Sequence, residues 1–191
     1  MEPTIPIYLR NTPETHNGLI ETHDHYEIIQ HLAKWIKPNN YLEIGVREGN
    51  VYHLVKNYCN TCYLVDIHFL DLDYSENTLK FEMKSDVFFD VVNKEVKFDL
   101  VFIDGDHSKE QVIKDFINVS NMVVDDGFVL LHDTYPCDEN MELPVHSHNA
   151  WEAALFFKEN FNETWEILTL PFNPGLTIMK KISNKKQLIW K

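Results

Sequence analysis

The sequence predicts an α/β fold: a mostly parallel sheet with helices on both faces. Short apolar strands alternate with helical patterns between residues 41 and 161. The first strand runs into a glycine-bearing turn, YLEIGVREGN, and carboxylates recur where later strands end. Strands separated by helices cannot pair as hairpins, so they form parallel crossovers with both sheet faces covered.

Residues 1–22 carry Pro3, Pro6 and Pro13 and the polar run NTPETHNG, which reads as an N-terminal arm or lid over the main body. Residues 23–191 read as one domain, because no repeat or Gly/Ser-rich linker interrupts them. Ile28, Ile29, Leu32, Ala33, Trp35 and Ile36 recur at helical spacing until Pro38, Asn39 and Asn40 end the segment. YLEI then gives way to the helical NVYHLVKNY, the strand CYLVDI, and a looser strand near LKFEM. A helical stretch leads to the strand FDLVFID and the helix SKEQVIKDFINVSNM, where Ser108 and Gln111 have capping-box spacing. GFVLLHD is a fifth strand, NAWEAALFFKENF a further helix, and WEILTLP with GLTIMKK a closing pair.

Composition narrows the function classes. The 191 residues hold 17 Lys plus Arg against 30 Asp plus Glu, a formal charge of −13 that repels nucleic acid and anionic lipid. The N-terminus lacks the pattern of a secretory leader, and no apolar run approaches the ~20 residues a bilayer requires, so a cytoplasmic protein is expected. Cys59 and Cys62 form C-x-x-C, but it closes a helix and enters a strand, and no second pair completes a zinc site. With Cys137 they are read as ordinary thiols.

In parallel α/β sheets ligands sit beyond the C-terminal strand ends. The first strand ends Glu43-Ile44-Gly45-Val46-Arg47-Glu48-Gly49. This is G-x-x-x-G, without the third glycine of a dinucleotide loop, and its leading carboxylate suits a cationic amino-acid moiety better than a pyrophosphate. Asp66, at the end of the second strand, is placed to accept ribose hydroxyls. The third strand is expected to end near Ser85-Asp86-Val87-Phe88, with Asp86 meeting an adenine amino group and Ile67 or Phe88 covering its ring. Asp104 and Asp133 end the fourth and fifth strands, with His107 and His132 beside them. Neighbouring strands would bring these groups over one cleft, to hold a hard divalent cation or to present a general base. ETHDHY, with His23, Asp24 and His25, is read as helix capping or a lid contact, and VHSHN as a polar loop at the cleft mouth.

Glu43-x-Gly45-x-x-x-Gly49, Asp66, FDLVFIDGDHSKEQVIKDF and DDGFVLLHDTYP together resemble the class I S-adenosylmethionine-dependent methyltransferases over about residues 24 to 181. Within them the chain is similar to the small-molecule O-methyltransferase branch of macrocin, catechol and cephalosporin-hydroxylase-like types. The resemblance implies a Rossmann-like seven-stranded sheet in the order 3-2-1-4-5-7-6, with the seventh strand antiparallel. It implies S-adenosyl-L-methionine as cofactor, with Gly45 and Gly49 at its methionine portion, Glu43 near the amine, Asp66 at the ribose and Asp86 at the adenine. It implies methyl transfer to a hydroxyl of a small molecule or sugar, with Asp104, His107 and His132 as catalytic candidates. Metal-dependent members carry an acid at the fourth strand end and an acidic or amide pair at the fifth. Asp104 and Asp133 match, and Thr134 stands in the second place of the pair. Mg2+ or another divalent cation is therefore an open second requirement.

Transfer to nitrogen, a non-catalytic cofactor-binding module and a nicotinamide-dependent dehydrogenase are the alternatives. Acids at both the fourth and fifth strand ends favour catalysis, and the missing third glycine disfavours the dehydrogenase. Self-association as a homodimer is left open.

Overall fold

The computed structural model describes residues 24–183. The expected arm at 1–22, together with His23, lies outside the described residues. Helix α1 (Asp24–Ile36) leads to β1 (Asn40–Ile44), α2 (Asn50–Val55) with a 3-10 turn at Lys56–Tyr58, β2 (Thr61–Asp66) and β3 (Thr78–Glu82). Then come α3 (Ser85–Val91), β4 (Phe98–Ile103), α4 (Lys109–Ser120), β5 (Val123–His132), α5 (Ala150–Asn160), β6 (Trp165–Leu170) and β7 (Leu176–Lys181). The seven strands form one sheet in the order β3-β2-β1-β4-β5-β7-β6, and β7 runs antiparallel to both its neighbours.

Alternation along the central strands builds two cores. Leu42, Ile44, Val101, Ile103, Val129 and Leu131 face the helices α3, α4 and α5 and pack with Phe88, Phe116 and Phe157. Tyr41, Leu64, Leu100, Phe102 and Leu130 point the other way, against Ile29 and Ala33 of α1 and Val51, Tyr52 and Val55 of α2. This period of two, buried on both faces, is what a covered parallel sheet demands. Phe116 meets Phe157 at 4.4 Å and Trp165 at 5.1 Å between ring centroids, pinning α4 to α5 and the start of β6.

Two local expectations are corrected. The third strand ends at Glu82, and Ser85–Val91 is helix, so Asp86 sits in the first turn of α3. Phe88 is fully buried, with its ring against Phe81, and cannot cover a ligand. The capping box at Ser108 does not form: the Ser108 side chain makes no cap bond. The Ser108 N–H instead donates to Asp106 Oδ1 at 2.8 Å and that of Lys109 to Asn149 Oδ1 at 2.9 Å. Gln111 turns toward Ser85, Asp86 and Asp115. The C-x-x-C follows the 3-10 turn and enters β2 as expected, with both thiols free and buried.

Candidate active site

A cavity of about 920 Å³ opens at the C-terminal ends of β1, β2, β4 and β5, at the upper end of the range for small-molecule and cofactor sites. Glu43, Gly45, Asp66, Ile67, Asp86, Asp104, His107, His132 and Asp133 all line it, and Gly49 follows the wall residue Glu48.

The floor is set by Gly45. Its φ is +83°, and a Cβ there would stand 2.1 Å from the Asp104 carbonyl oxygen and 2.7 Å from the Gly105 Cα, so only glycine fits where β1 passes the end of β4. Gly49, with φ +71°, turns the chain into α2. Asp66 holds the loop between these glycines. Its Oδ2 accepts the N–H groups of Val46 at 2.7 Å and Arg47 at 3.0 Å, and its Oδ1 accepts that of His68 at 3.0 Å. A carboxylate has about four acceptor positions, so a ribose hydroxyl would share Asp66 with the backbone. Glu43 is buried beneath the loop, where Tyr41 donates its hydroxyl to Oε2 at 2.7 Å. Burial raises its carboxyl well above the usual range, the Tyr41 bond works against this, and Asp104 adds to it.

Asp86 stands at the far rim, where Lys114 Nζ reaches Oδ2 at 2.6 Å and Gln111 Nε2 donates to Oδ1 at 3.3 Å. The lysine bond, followed by that of Gln111, holds its pKa low. Ile67 is largely exposed on the cavity wall, a free apolar surface for a ring.

On the opposite side four groups converge. His132 Nδ1 lies 2.9 Å from Asp104 Oδ1 and 3.3 Å from Asp133 Oδ2. His107 Nε2 is 3.5 Å from Asp104 Oδ1, and its Nδ1 is 3.1 Å from Asp133 Oδ2 and 2.7 Å from the His146 carbonyl oxygen. Asp133 adopts φ +60°, a left-handed conformation uncommon for a side-chain-bearing residue, and Ser147 Oγ donates to its Oδ1 at 2.7 Å. Burial opposes the charge on Asp104, yet the facing His132 and His107 hold its pKa well below the usual range, and Asp133 is lowered in the same way. Burial likewise opposes the imidazolium of His107, but Asp104 and Asp133 push it up to about 9; His132 is pushed to about 10 by the same two carboxylates. Two positive and two negative charges therefore balance at neutral pH. Donor atoms of Asp104, His107 and Asp133 all lie within 4.8 Å of one another, a set that fits one divalent cation.

Thr134 plays no part in that set. It is buried, and its hydroxyl accepts from Thr177 at 2.8 Å on the other side of the strand end. Two contributors were not legible as such. His25 packs its ring against that of His132, tilted by 44° with 4.1 Å between centroids, and Tyr26 stands beside it on the cavity wall. Ser147, inside VHSHN, reaches Asp133 across fourteen residues, and Val145 and His146 complete the mouth that this loop was expected to form.

A seven-stranded sheet with only β7 reversed, whose glycine turn and acids meet at one edge, is the class I methyltransferase fold. Residues 42–134, from β1 to just past the end of β5, match the family described as a methyltransferase domain. Solved structures agree at the level of fold. The O-methyltransferase TomG from Streptomyces achromogenes, in complex with S-adenosylmethionine, is 13% identical with a TM-score of 0.67, the match covering 87% of this chain and 83% of that one. A Bacillus cereus O-methyltransferase in complex with S-adenosylhomocysteine is 13% identical with a TM-score of 0.61, covering 86% and 83%. A Corynebacterium glutamicum protein is 16% identical with a TM-score of 0.67, covering 94% and 96%. A sequence comparison with curated proteins found no match.

Proposed function

We propose that the protein transfers the methyl group of S-adenosylmethionine to a hydroxyl of a small molecule or sugar. The observation that carries this is the convergence of Asp104, His107, His132 and Asp133 beside the glycine loop. Holding the cofactor alone asks for nothing of that kind at the ends of β4 and β5. Solved O-methyltransferases of this fold lend further support. Transfer to an amine remains the second reading, because an amine needs no such activating cluster.

S-adenosylmethionine supplies an electrophilic methyl on a sulfonium. The loop from Gly45 to Gly49 receives its methionine portion, and Glu43 faces the ammonium, whose positive charge offsets the burial cost of that carboxylate. Asp66 takes the ribose, Ile67 lies against the adenine, and Asp86 with its Gln111 partner meets the exocyclic amine. The acceptor enters over His25, Tyr26 and Val145. In the reaction the acceptor oxygen loses its proton and bonds to the methyl carbon, while the electron pair of the breaking sulfur–carbon bond returns to sulfur. Alignment is one task of the site and acceptor deprotonation the other.

A divalent cation on Asp104 and Asp133 would lower the acceptor's pKa by direct polarisation. Without it the two carboxylates raise the pKa of both imidazoles, which favours their protonated forms over a free base. The cation's charge would take the place of those protons, freeing His132, which Asp104 orients through Nδ1, to receive the acceptor proton. No described helix is long and apolar enough to cross a membrane.

The test is methyl transfer from labelled S-adenosylmethionine to panels of hydroxyl and amine acceptors, beside calorimetry with S-adenosylhomocysteine. Hydroxyl acceptors should be methylated and amines not. Binding of NADH in place of S-adenosylhomocysteine would overturn the reading.

A further inference from the structure

We infer that His107 is the third protein ligand of the cation site, and that the site therefore selects a first-row transition-metal dication, of which manganese is the probe, over magnesium or calcium. This rests on the divalent-cation reading above. It goes further by naming a nitrogen ligand and the class of metal it selects.

The geometry of His107 carries the assignment. Its Nδ1 lies 2.7 Å from the His146 carbonyl oxygen, an acceptor that cannot donate, so Nδ1 holds the proton. In the neutral ring the lone pair is then on Nε2, which faces Asp104 Oδ1 at 3.5 Å. That separation is long for a hydrogen bond. Two ligands about 2.1 Å from one ion, at near-octahedral or tetrahedral angles, stand roughly 3.0–3.4 Å apart, so a small contraction suffices.

Each member of the set is also oriented from behind. Ser147 Oγ donates to Asp133 Oδ1, leaving Oδ2 toward His107; His132 Nδ1 braces Asp104; and the His146 carbonyl fixes the His107 ring. Outer hydrogen bonds of this type orient metal ligands and set the histidine tautomer. Two of the three, His146 and Ser147, are consecutive residues of the 145–149 loop and the third, His132, directly precedes Asp133, so loop and strand end are built around the same point. Thr134 cannot fill the third position, because its hydroxyl is committed to Thr177.

Ligand type then decides the metal. Magnesium and calcium favour oxygen donors, whereas an imidazole adds affinity for manganese, iron, cobalt or zinc. One nitrogen among two carboxylates is a mixed set that tilts toward these ions without excluding the open positions an acceptor hydroxyl needs.

The experiment uses the full chain stripped of metal, with and without S-adenosylhomocysteine. Calorimetry with Mn(II) and Mg(II) should show manganese at least tenfold tighter. Pulsed electron paramagnetic resonance of the Mn(II) complex should show modulation from a coordinated imidazole nitrogen. His107→Asn should erase that modulation and weaken manganese at least tenfold while changing magnesium less than about threefold. Circular dichroism confirms that the variant is folded, and Ser147→Ala, which leaves the ligands in place, should keep the nitrogen signal with weaker binding. Equal affinity for the two ions without nitrogen modulation overturns the inference, as does a nitrogen signal that survives His107→Asn. Absence of any divalent binding overturns it as well, while retained S-adenosylhomocysteine binding leaves the methyltransferase reading intact. Loss of S-adenosylhomocysteine binding in a protein that shows the nitrogen signal counts against that reading and supports the ligand assignment.

Discussion

Replacing Gly45 by alanine is the most direct perturbation of the site, because the added atom meets backbone. The new Cβ would lie 2.1 Å from the Asp104 carbonyl oxygen, 2.5 Å from its carbon and 2.7 Å from the Gly105 Cα. Comfortable contact begins near 3.5 Å, so the β4 end must retreat by roughly 1 Å or more. A left-handed conformation costs an L-residue about 1–2 kcal/mol, and forced repacking about 1–3 kcal/mol, so Gly45→Ala should lose roughly 2–5 kcal/mol. With a urea m-value of about 2 kcal/mol/M, the unfolding midpoint falls by about 1–2.5 M. Moving Asp104 by this distance also separates it from His132 and His107, and a displacement of that size costs about a hundredfold in rate. Urea titration followed by circular dichroism measures the first effect, and a labelled-methyl assay the second. Gly105→Ala is the control, since its Cβ would meet nothing nearer than the Ile44 Cγ2 at 3.3 Å, and it should lose less than about 1 kcal/mol. A Gly45→Ala protein with native midpoint and native turnover would falsify the claim that the β1 and β4 ends are packed backbone to backbone.

Asp66→Ala should weaken S-adenosylhomocysteine binding by about ten- to a hundredfold in calorimetry, because it removes a ribose acceptor and leaves the N–H groups of Val46, Arg47 and His68 without their partner; unchanged affinity removes Asp66 from the site. Asp104→Asn should abolish hydroxyl methylation yet change cofactor affinity less than about threefold, as read by the same two assays, since Asp66 and Asp86, the proposed ribose and adenine partners, lie on the other side of the cavity. Asp115 tests the electrostatics behind the cavity wall: it is buried in α4, Gln111 donates to its Oδ1 at 3.0 Å, and its Oδ2 has no hydrogen-bond partner. Burial lifts its pKa to about 6 from the ordinary 3.8, so the folded state binds the extra proton and stability falls as pH rises from about 4 through 6. Asp115→Asn should therefore flatten that pH dependence in thermal melts and gain up to about 3 kcal/mol at pH 7; an unchanged profile would mean the carboxylate is solvated.

Much of this was legible in the sequence because central strands buried on both faces leave no freedom in register. The apolar runs around Leu42, Val101 and Leu130 can sit only in covered strands, and the last residue of each run marks where the sheet meets the cleft. The third strand lies at the sheet edge, where Leu79 and Lys80 are exposed, so no burial pattern fixes its end and LKFEM was extended too far. Ser108 and Gln111 have the spacing of a cap, but Asn149, forty residues away, supplies the acceptor instead. His25 and Ser147 gain their roles through contacts across the fold, with His132 and Asp133, that no local pattern encodes.

The same alternation explains why the chemistry collects on one side of the sheet. Tyr41, Leu64, Phe102 and Leu130 are the last apolar residues of their strands to face α1 and α2, and two positions further on stand Glu43, Asp66, Asp104 and His132. A period of two puts each of these polar groups on the same face as the apolar residue before it, just where the helices stop covering the sheet. Pairing of Ile44 with Val65 and Ile103, and of Ile103 with Leu131, makes the next rung Asp66, Gly45, Asp104 and His132. Glycine thus occupies the one place in that rung between two carboxylates. A side chain there would meet the Asp104 carbonyl oxygen and the Gly105 Cα, so it would push the β4 end away from the β1 turn. The glycine that lets the two strand ends pack backbone to backbone therefore also sets the distance between Asp66, the proposed cofactor partner, and Asp104, the proposed acceptor partner.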